Sequence, residues 1–302
     1  MTIIPSQAVL TSTETTASSS TTGNLPANNL PANNSATSNL AVNLPAVYGV
    51  VQSWRFGKSL GIDPIGSIST CSFDCVYCQL GEIERKTHER QLFVPTSQIL
   101  AELAPFAPWD VDTITLSGSG EPTLAENLKE IITAIKELTH KPVGVLTNGS
   151  LLGEEAVRDS LCAADWVAVK VDAMDEERLY ALNRPSFLLD LFCFWKDLTQ
   201  FRAEYQGKLV FQTMLLLPWN AAEEARYLEA IYKVKPNLVQ LNTPSRPKPL
   251  RRTIAGRGND QPEGKMVKRV SEEYLAEFAE RIERNTHVPV QLKSGEGGVR
   301  FI

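Results

Sequence analysis

The stretch Ile65-Gly-Ser-Ile-Ser-Thr-Cys71-Ser-Phe-Asp-Cys75-Val-Tyr-Cys78 joins a short β-rich run to three thiols within eight residues. Residues 65–69 read as a strand, which places the cysteines on the loop directly after it. Soft thiolates spaced four and three residues apart can converge on a single iron–sulfur cubane. Such a cluster usually takes four cysteine ligands, so three leave one iron open to an outside ligand. The chain has five cysteines, an odd number, and the grouping of three points to metal binding before disulfides.

Outward from this loop, short apolar β-rich runs alternate with helical patterns, the signature of βα units and a parallel sheet. Further strands are predicted at 111–116, 142–146, 166–171, 209–217 and 238–241. Most lack strict in–out alternation, as strands buried on both faces should. The expected fold class is α/β: a partial parallel β/α barrel of about six βα units, with a disordered N-terminal tail and a small C-terminal extension. Thr123 with Glu126 and Asn220 with Glu223 fit the capping box or its Asn analogue. Leu128, Ile131, Ile132 and Ile135 recur at helical spacing and read as packing against the sheet. Residues 244–264, rich in Pro, Arg and Gly, read as a loop or a mobile lid. A helix at 271–284 and a short strand at 288–292 close the chain. The expected organisation is therefore a tail over 1–46, a core over 47–245 and an extension over 246–302.

With 302 residues, 43% of them hydrophobic, the chain is long enough for one large α/β domain. Its first 46 residues are dominated by Ser, Thr, Asn and Ala, carry a single charged side chain, Glu14, and cannot sustain a core. The pentapeptide Leu-Pro-Ala-Asn-Asn occurs twice in tandem there, too short a period for a solenoid. The tail is neither Arg-rich like a transit peptide nor apolar like a secretory signal, and no apolar run reaches membrane-spanning length. A cytoplasmic protein without membrane association is expected. The net charge of −5 gives no global electrostatic attraction for nucleic acid.

Polar motifs stand at the ends of most predicted strands, where barrel enzymes build their sites. The second strand ends in Ser117-Gly-Ser-Gly-Glu-Pro-Thr123, whose small residues let backbone approach a ligand while Glu121 offers a carboxylate to an ammonium group. The third ends in Thr147-Asn148-Gly149-Ser150, and the fourth in Lys170-Val-Asp172. The sixth runs into Asn242-Thr243-Pro244-Ser245-Arg246-Pro247, whose amide and hydroxyl can read the edges of an adenine. Ordinary turns and a satisfied Lys–Asp pair would explain much of this equally. No side chain is marked as a catalytic acid or base. His88 could complete a zinc site with the three cysteines. Cys162 and Cys193 fall in apolar helical patterns and are expected to be buried packing residues, whereas His140 and His287 are expected at the surface.

Cys-x3-Cys-x2-Cys, with the aromatic Tyr77 before the last cysteine, resembles the radical S-adenosylmethionine (SAM) superfamily. The resemblance implies a [4Fe–4S] cluster on Cys71, Cys75 and Cys78 and S-adenosyl-L-methionine as second cofactor. It implies reductive cleavage of SAM to methionine and a 5′-deoxyadenosyl radical that abstracts a substrate hydrogen. By the same resemblance Ser119, Gly120 and Glu121 meet the SAM amino group, with Ser119 in the place of a glycine. Thr147, Asn148, Lys170 and Asp172 would meet its ribose or carboxylate, Asn242 its adenine, and Tyr77 joins the cofactor-binding set. A low-potential electron donor, a flavodoxin or ferredoxin, is implied as partner.

The run from Tyr48 to Asp63, with Gln79-Leu-Gly81 and Gln240-Leu-Asn-Thr-Pro244, is similar to radical SAM proteins related to the tRNA wyosine-base synthases. Val50, Gln52 and Trp54 stand where that group has Pro, Pro and Arg. The similarity implies a tRNA base as substrate, with a peptide or small metabolite as the alternative. A non-catalytic zinc- or Fe–S-containing binding protein is the competing class. Arg246, Lys248, Arg251, Arg252 and Arg257 cluster beyond the last core strand, as a phosphate-neutralising patch over the substrate or as a solvated loop.

Overall fold

The computed structural model describes residues 44–253, 255–257, 263–294 and 298–302. The expected tail lies outside the described residues up to residue 43. From there the chain is fixed at once: the Ala46 carbonyl accepts from Asp63 N at 2.7 Å, and Glu102 accepts from Ala46 N at 2.5 Å.

Strand β1 (Val47–Ser53) pairs antiparallel with β2 (Gly57–Ile62). Then β3 (Thr113–Leu116), β4 (Val143–Thr147), β5 (Trp166–Lys170), β6 (Lys208–Met214), β7 (Leu238–Asn242) and β8 (Val290–Ser294) add parallel to β2, one after another in chain order. Strand β9 (Gly298–Phe301) returns antiparallel on β8. Each step from β2 to β8 crosses through helix: α1 (Thr96–Leu103), α2 (Leu128–Thr139), α3 (Glu155–Cys162), α4 (Glu176–Leu182) with α5 (Leu191–Glu204), α6 (Ala221–Val234) and α7 (Glu272–Thr286). The sheet curls into a partial barrel, far enough that Gln291 on β8 donates to the Trp54 carbonyl in the β1–β2 turn at 3.1 Å.

The strand expected at 65–69 is a loop, and the first parallel strand is β2 instead. Pro64 and Gly66 interrupt the run, and the Asp63 side chain takes the Ile65 and Gly66 N–H groups at 2.9 and 3.1 Å, removing them from any ladder. Strand β2 carries no apolar run because its inner positions, Ser59 and Gly61, hold a hydroxyl and no side chain at all. The predicted strand at 209–217 ends at Met214, and the one at 288–292 begins at Val290 and belongs to the main sheet.

The outer face carries one continuous core. Leu60, Ile62, Ile114, Leu116, Val145, Val167, Phe211 and Leu241 pack with the helices, and the predicted α2 stripe of Leu128, Ile131, Ile132 and Ile135 is fully buried among them. The Asn220 capping box is present on α6. The one expected at Thr123 is not: Pro122–Leu124 form a single 3-10 turn, and α2 starts at Leu128 behind Asn127.

Inside the barrel the packing is sparser. Phe56, from the β1–β2 turn, stacks on Trp166 at 3.8 Å and forms a small cluster with Leu146, Ala168, Val210 and Leu238. Trp166 lies where any side chain at residue 144 would project, a Cβ there falling 1.7 Å from its ring, so Gly144 makes room for the plug. Above it, Gln212 donates to Gln240 and Gln240 to Gln291, at 2.9 and 2.7 Å, linking β6, β7 and β8.

Candidate active site

The cysteine loop sits on the C-terminal rim of the parallel strands, pinned from two sides. Thr70 exchanges backbone hydrogen bonds with Ser119 and Glu121 on the turn after β3, at 2.9 and 3.1 Å. Asp74 and Val76 donate to carbonyls at the end of α4. The first contact explains the glycine of the Ser-Gly-Glu motif: a Cβ on Gly120 would lie 1.6 Å from the Thr70 carbonyl oxygen. Gly120 thus lets two backbones meet and hands the cysteine loop to the end of β3.

Cys71, Cys75 and Cys78 line one cavity of about 330 Å³, with Tyr77, Gly120, Glu121, Thr147, Asn148, Lys170 and Asn242 on its walls. Amide donors reach two of the sulfurs. Phe73 N and Asn148 Nδ2 donate to Cys71 Sγ at 3.4 and 3.7 Å, and Asn183 Nδ2 donates to Cys75 Sγ at 3.5 Å. Burial pushes all three thiols up, Cys75 to about 12. A thiol in such surroundings ionises when a metal supplies the compensating charge.

Glu121 is almost wholly buried and nearly saturated. Its Oε1 accepts from Thr123 N, Thr123 Oγ1 and Thr147 Oγ1, and its Oε2 from Asn148 N at 2.7 Å. Burial raises its pKa against the opposing pull of those four donors. One lone pair on Oε2 is left for a further donor. Two expected contact residues stand behind the wall. Ser119 is fully buried, with an Oγ that has no partner among the described residues. Asp172 is an anchor: it pairs with Lys170 at 3.1 Å and accepts from Tyr77 Oη, Asn183 Nδ2 and Met214 N. Its charge, after burial itself, is what drives the Tyr77 phenol well above its ordinary range. Lys170 lies over the Tyr77 ring at 5.2 Å and lines the cavity.

Asn183, which touches Cys75, Tyr77 and Asp172 together, carries no motif in the sequence. His88 is exposed and tilted against Phe187 at 4.8 Å. Among the described residues no three His, Cys, Asp or Glu are gathered to hold a single ion. Cys162 and Cys193 are exposed, contrary to the expected packing, because each lies one step off its helix's buried stripe of Leu161 or Phe194.

The basic segment turns inward. Arg252 pairs with Glu84 at 2.8 Å and donates to the Ser67 carbonyl, while Arg257 pairs with Asp63 at 2.9 Å. Lys248 Nζ reaches the Cys75 carbonyl at 3.4 Å, and Thr253 N donates to Leu80 O at 2.9 Å. Residues 248–253 and 255–257 therefore strap the cysteine loop down, and of Lys248, Arg251, Arg252 and Arg257 only Arg251 is exposed.

Residues 65–191 match the sequence model of the Radical SAM superfamily. In fold the chain resembles SuiB of Streptococcus suis bound to S-adenosylmethionine, with a TM-score of 0.54 at 13% identity over 76% of this chain and 49% of that one. It also resembles native anSMEcpe with bound AdoMet, with a TM-score of 0.52 at 14% identity over 75% of this chain and 59% of that one. The sequence match identifies a radical SAM enzyme, the class whose cofactors are a [4Fe–4S] cluster and SAM, and the fold is the one those structures share. The UPF0026 protein slr1464 of Synechocystis sp. is 52% identical over 254 residues, 82% of this chain and 96% of its own length. A UPF0026 protein of Methanocaldococcus jannaschii is 36% identical over 66% of this chain and 64% of its own. The chain belongs to the UPF0026 family. Three half-buried thiols on one cavity wall, with N–H donors aimed at two sulfurs, are a donor set that fits such a cluster. Among the described residues no helix is long and apolar enough to cross a membrane.

Proposed function

We propose that this chain holds a [4Fe–4S] cluster on Cys71, Cys75 and Cys78, binds SAM beside it and directs hydrogen abstraction from a small polar metabolite. The observation that carries this reading is the three thiols sharing a cavity with the ends of β4, β5, β6 and β7. When bound, the two cofactors supply a low-potential electron and a 5′-deoxyadenosyl radical. The chain's part is to hold and orient them. Asn148, Asn183 and the Phe73 N–H donate to sulfur and so favour the more negative, reduced form. The remaining lone pair of Glu121 suits an ammonium group, and Lys170, steadied by Asp172 and the Tyr77 ring, suits a carboxylate. Asn242, on the cavity wall, offers an amide to a purine edge, while Ser119 and Asp172 act as positioning residues.

A tRNA base, the substrate implied by the similarity to the wyosine-base synthases, would need the basic segment for its phosphates. With Arg252 and Arg257 spent on Glu84 and Asp63, less of that charge is left for a phosphate backbone. A second, polar chamber of about 470 Å³ adjoins the cluster cavity and shares Arg55, Asn242 and Arg246 with it, room suited to a small metabolite. The electron comes from outside, and a flavodoxin or ferredoxin is the partner class that its low potential requires.

Anaerobic reconstitution with iron and sulfide should give brown protein that, once reduced, converts SAM to 5′-deoxyadenosine and methionine. Cys75→Ala should lose both colour and turnover. Colourless wild-type protein carrying one zinc would reject the reading, as would a reduced cluster that leaves SAM intact.

A further inference from the structure

The second chamber is lined by the β1–β2 turn, by residues following β7 and by Lys293 on β8. Three cations, Arg55, Arg246 and Lys293, border it, and no carboxylate is among its described lining residues. Arg257 also borders it and pairs with Asp63 at 2.9 Å. Arg55 is held in place: its neighbour Phe56 stacks on Trp166 at 3.8 Å, and Gln291 donates to the Trp54 carbonyl at 3.1 Å. Yet Arg55 Nε is buried with no hydrogen-bond partner among the described residues, and no carboxylate there lies within ion-pair distance of its guanidinium, which packs on the Trp54 ring at 4.6 Å. Burial first, and the like charge of Arg246 second, push its pKa down to about 10. A buried guanidinium N–H with no acceptor, as at Arg55, costs stability unless a ligand supplies one.

We infer that this chamber is a phosphate site: the substrate docks a phosphoryl group of a small phosphomonoester or polyphosphate between Arg55 and Arg246. The inference rests on the reading that this chamber takes the substrate. A phosphoryl group brings up to two negative charges and three acceptor oxygens, enough for both guanidinium forks, whereas a carboxylate brings one charge and two oxygens. Lys293 supplies a further point charge at the rim.

The test is calorimetric titration of the anaerobically reconstituted full chain with inorganic pyrophosphate. Wild-type protein should bind it, saturating SAM should leave the affinity unchanged, and Arg55→Gln should weaken it about tenfold or more, the scale of one charge-assisted hydrogen bond. Arg55→Lys should recover part of the loss. Equal binding by an Arg55→Gln protein that keeps its cluster absorbance and melting temperature overturns the inference. So does displacement of pyrophosphate by SAM, which would make the cations a SAM carboxylate subsite. Tighter binding of a short oligoribonucleotide lacking terminal phosphates overturns it in favour of RNA. If Arg55→Gln does not fold, Arg246→Gln must show the same weakening, and unchanged binding there overturns the inference equally. Wild-type protein that cleaves SAM without binding pyrophosphate removes the phosphate site alone. Protein that binds pyrophosphate but leaves SAM intact removes the proposed reaction and keeps the site.

Discussion

On the outer face of β3 to β7, Ile114, Leu116, Val143, Val145, Val167, Val169, Leu209, Phe211, Val239 and Leu241 close against the helices with almost no exposure. The alternate residues of the same strands, facing into the barrel, mix polar Thr113, Thr115, Lys170, Gln212 and Gln240 with Gly144 and the apolar Leu146, Trp166, Ala168, Val210 and Leu238. One face is held by area alone, the other by directed hydrogen bonds above a small apolar plug. The difference separates two tasks. Apolar burial is indifferent to small rearrangements of contact, whereas the glutamine ladder specifies which strand lies beside which and brings β8 to the β1–β2 turn. The polar inner face can therefore carry a site without being asked to supply the stability of the fold.

The largest effect expected from this contrast falls on the outer face. Phe211 is fully buried and meets the Trp195 ring at 6.2 Å, so Phe211→Ala should cost about 3–5 kcal/mol, read from the urea midpoint. Cluster content per folded molecule should be unchanged. A loss below about 1 kcal/mol would mean that the outer face is not where stability is stored. On the inner face Gln240→Leu strands two buried groups, since Gln212 Nε2 loses its acceptor and Gln291 Oε1 its donor. It should cost about 1–3 kcal/mol. Adding Gln212→Leu should cost less than its effect alone, because one stranded donor disappears with it. Additive losses would show that the ladder is not a unit.

The same contrast decides what the sequence revealed. Six of the parallel strands, β3 to β8, were legible because their outer residues form apolar runs, and α2 because its stripe faces them. Strand β2 was not, since its inner positions Ser59 and Gly61 break the apolar pattern, and the loop at 65–69 took its place in the reading. The cysteines and the motif from Ser117 to Thr123 were legible as local spacing, and the fold brings most of the motif residues to one cavity. Within that motif the sequence could not tell a wall residue from a support: Glu121 lines the cavity, while its neighbours Ser119 and Thr123 are buried behind it. Asn183 and Arg55 were invisible for another reason. Asn183 lies 108 residues from the Cys75 sulfur it donates to, and Arg55 owes its position to the stacking of Phe56 on Trp166. Such contacts are made by topology, which no local pattern encodes.

The smallest effects lie in the basic segment, where adjacent arginines have opposite fates. Arg252 reaches Glu84 at 2.8 Å and the Ser67 carbonyl, tying the strap to the loop before the cysteines. Glu84 is partly solvated, so Arg252→Ala should cost only about 1 kcal/mol, measured by thermal melting. Cluster retention should suffer more than global stability, because Thr253 N holds the Leu80 carbonyl just beyond Cys78. Arg251 points to solvent, and Arg251→Glu should change stability by less than about 0.5 kcal/mol. It should also leave substrate turnover alone if the substrate sits in the inner chamber. A protein that keeps its cluster and its SAM cleavage but loses turnover on Arg251→Glu would place substrate contacts on the outside of the strap, where a phosphate backbone could lie, and would return the tRNA base to first place.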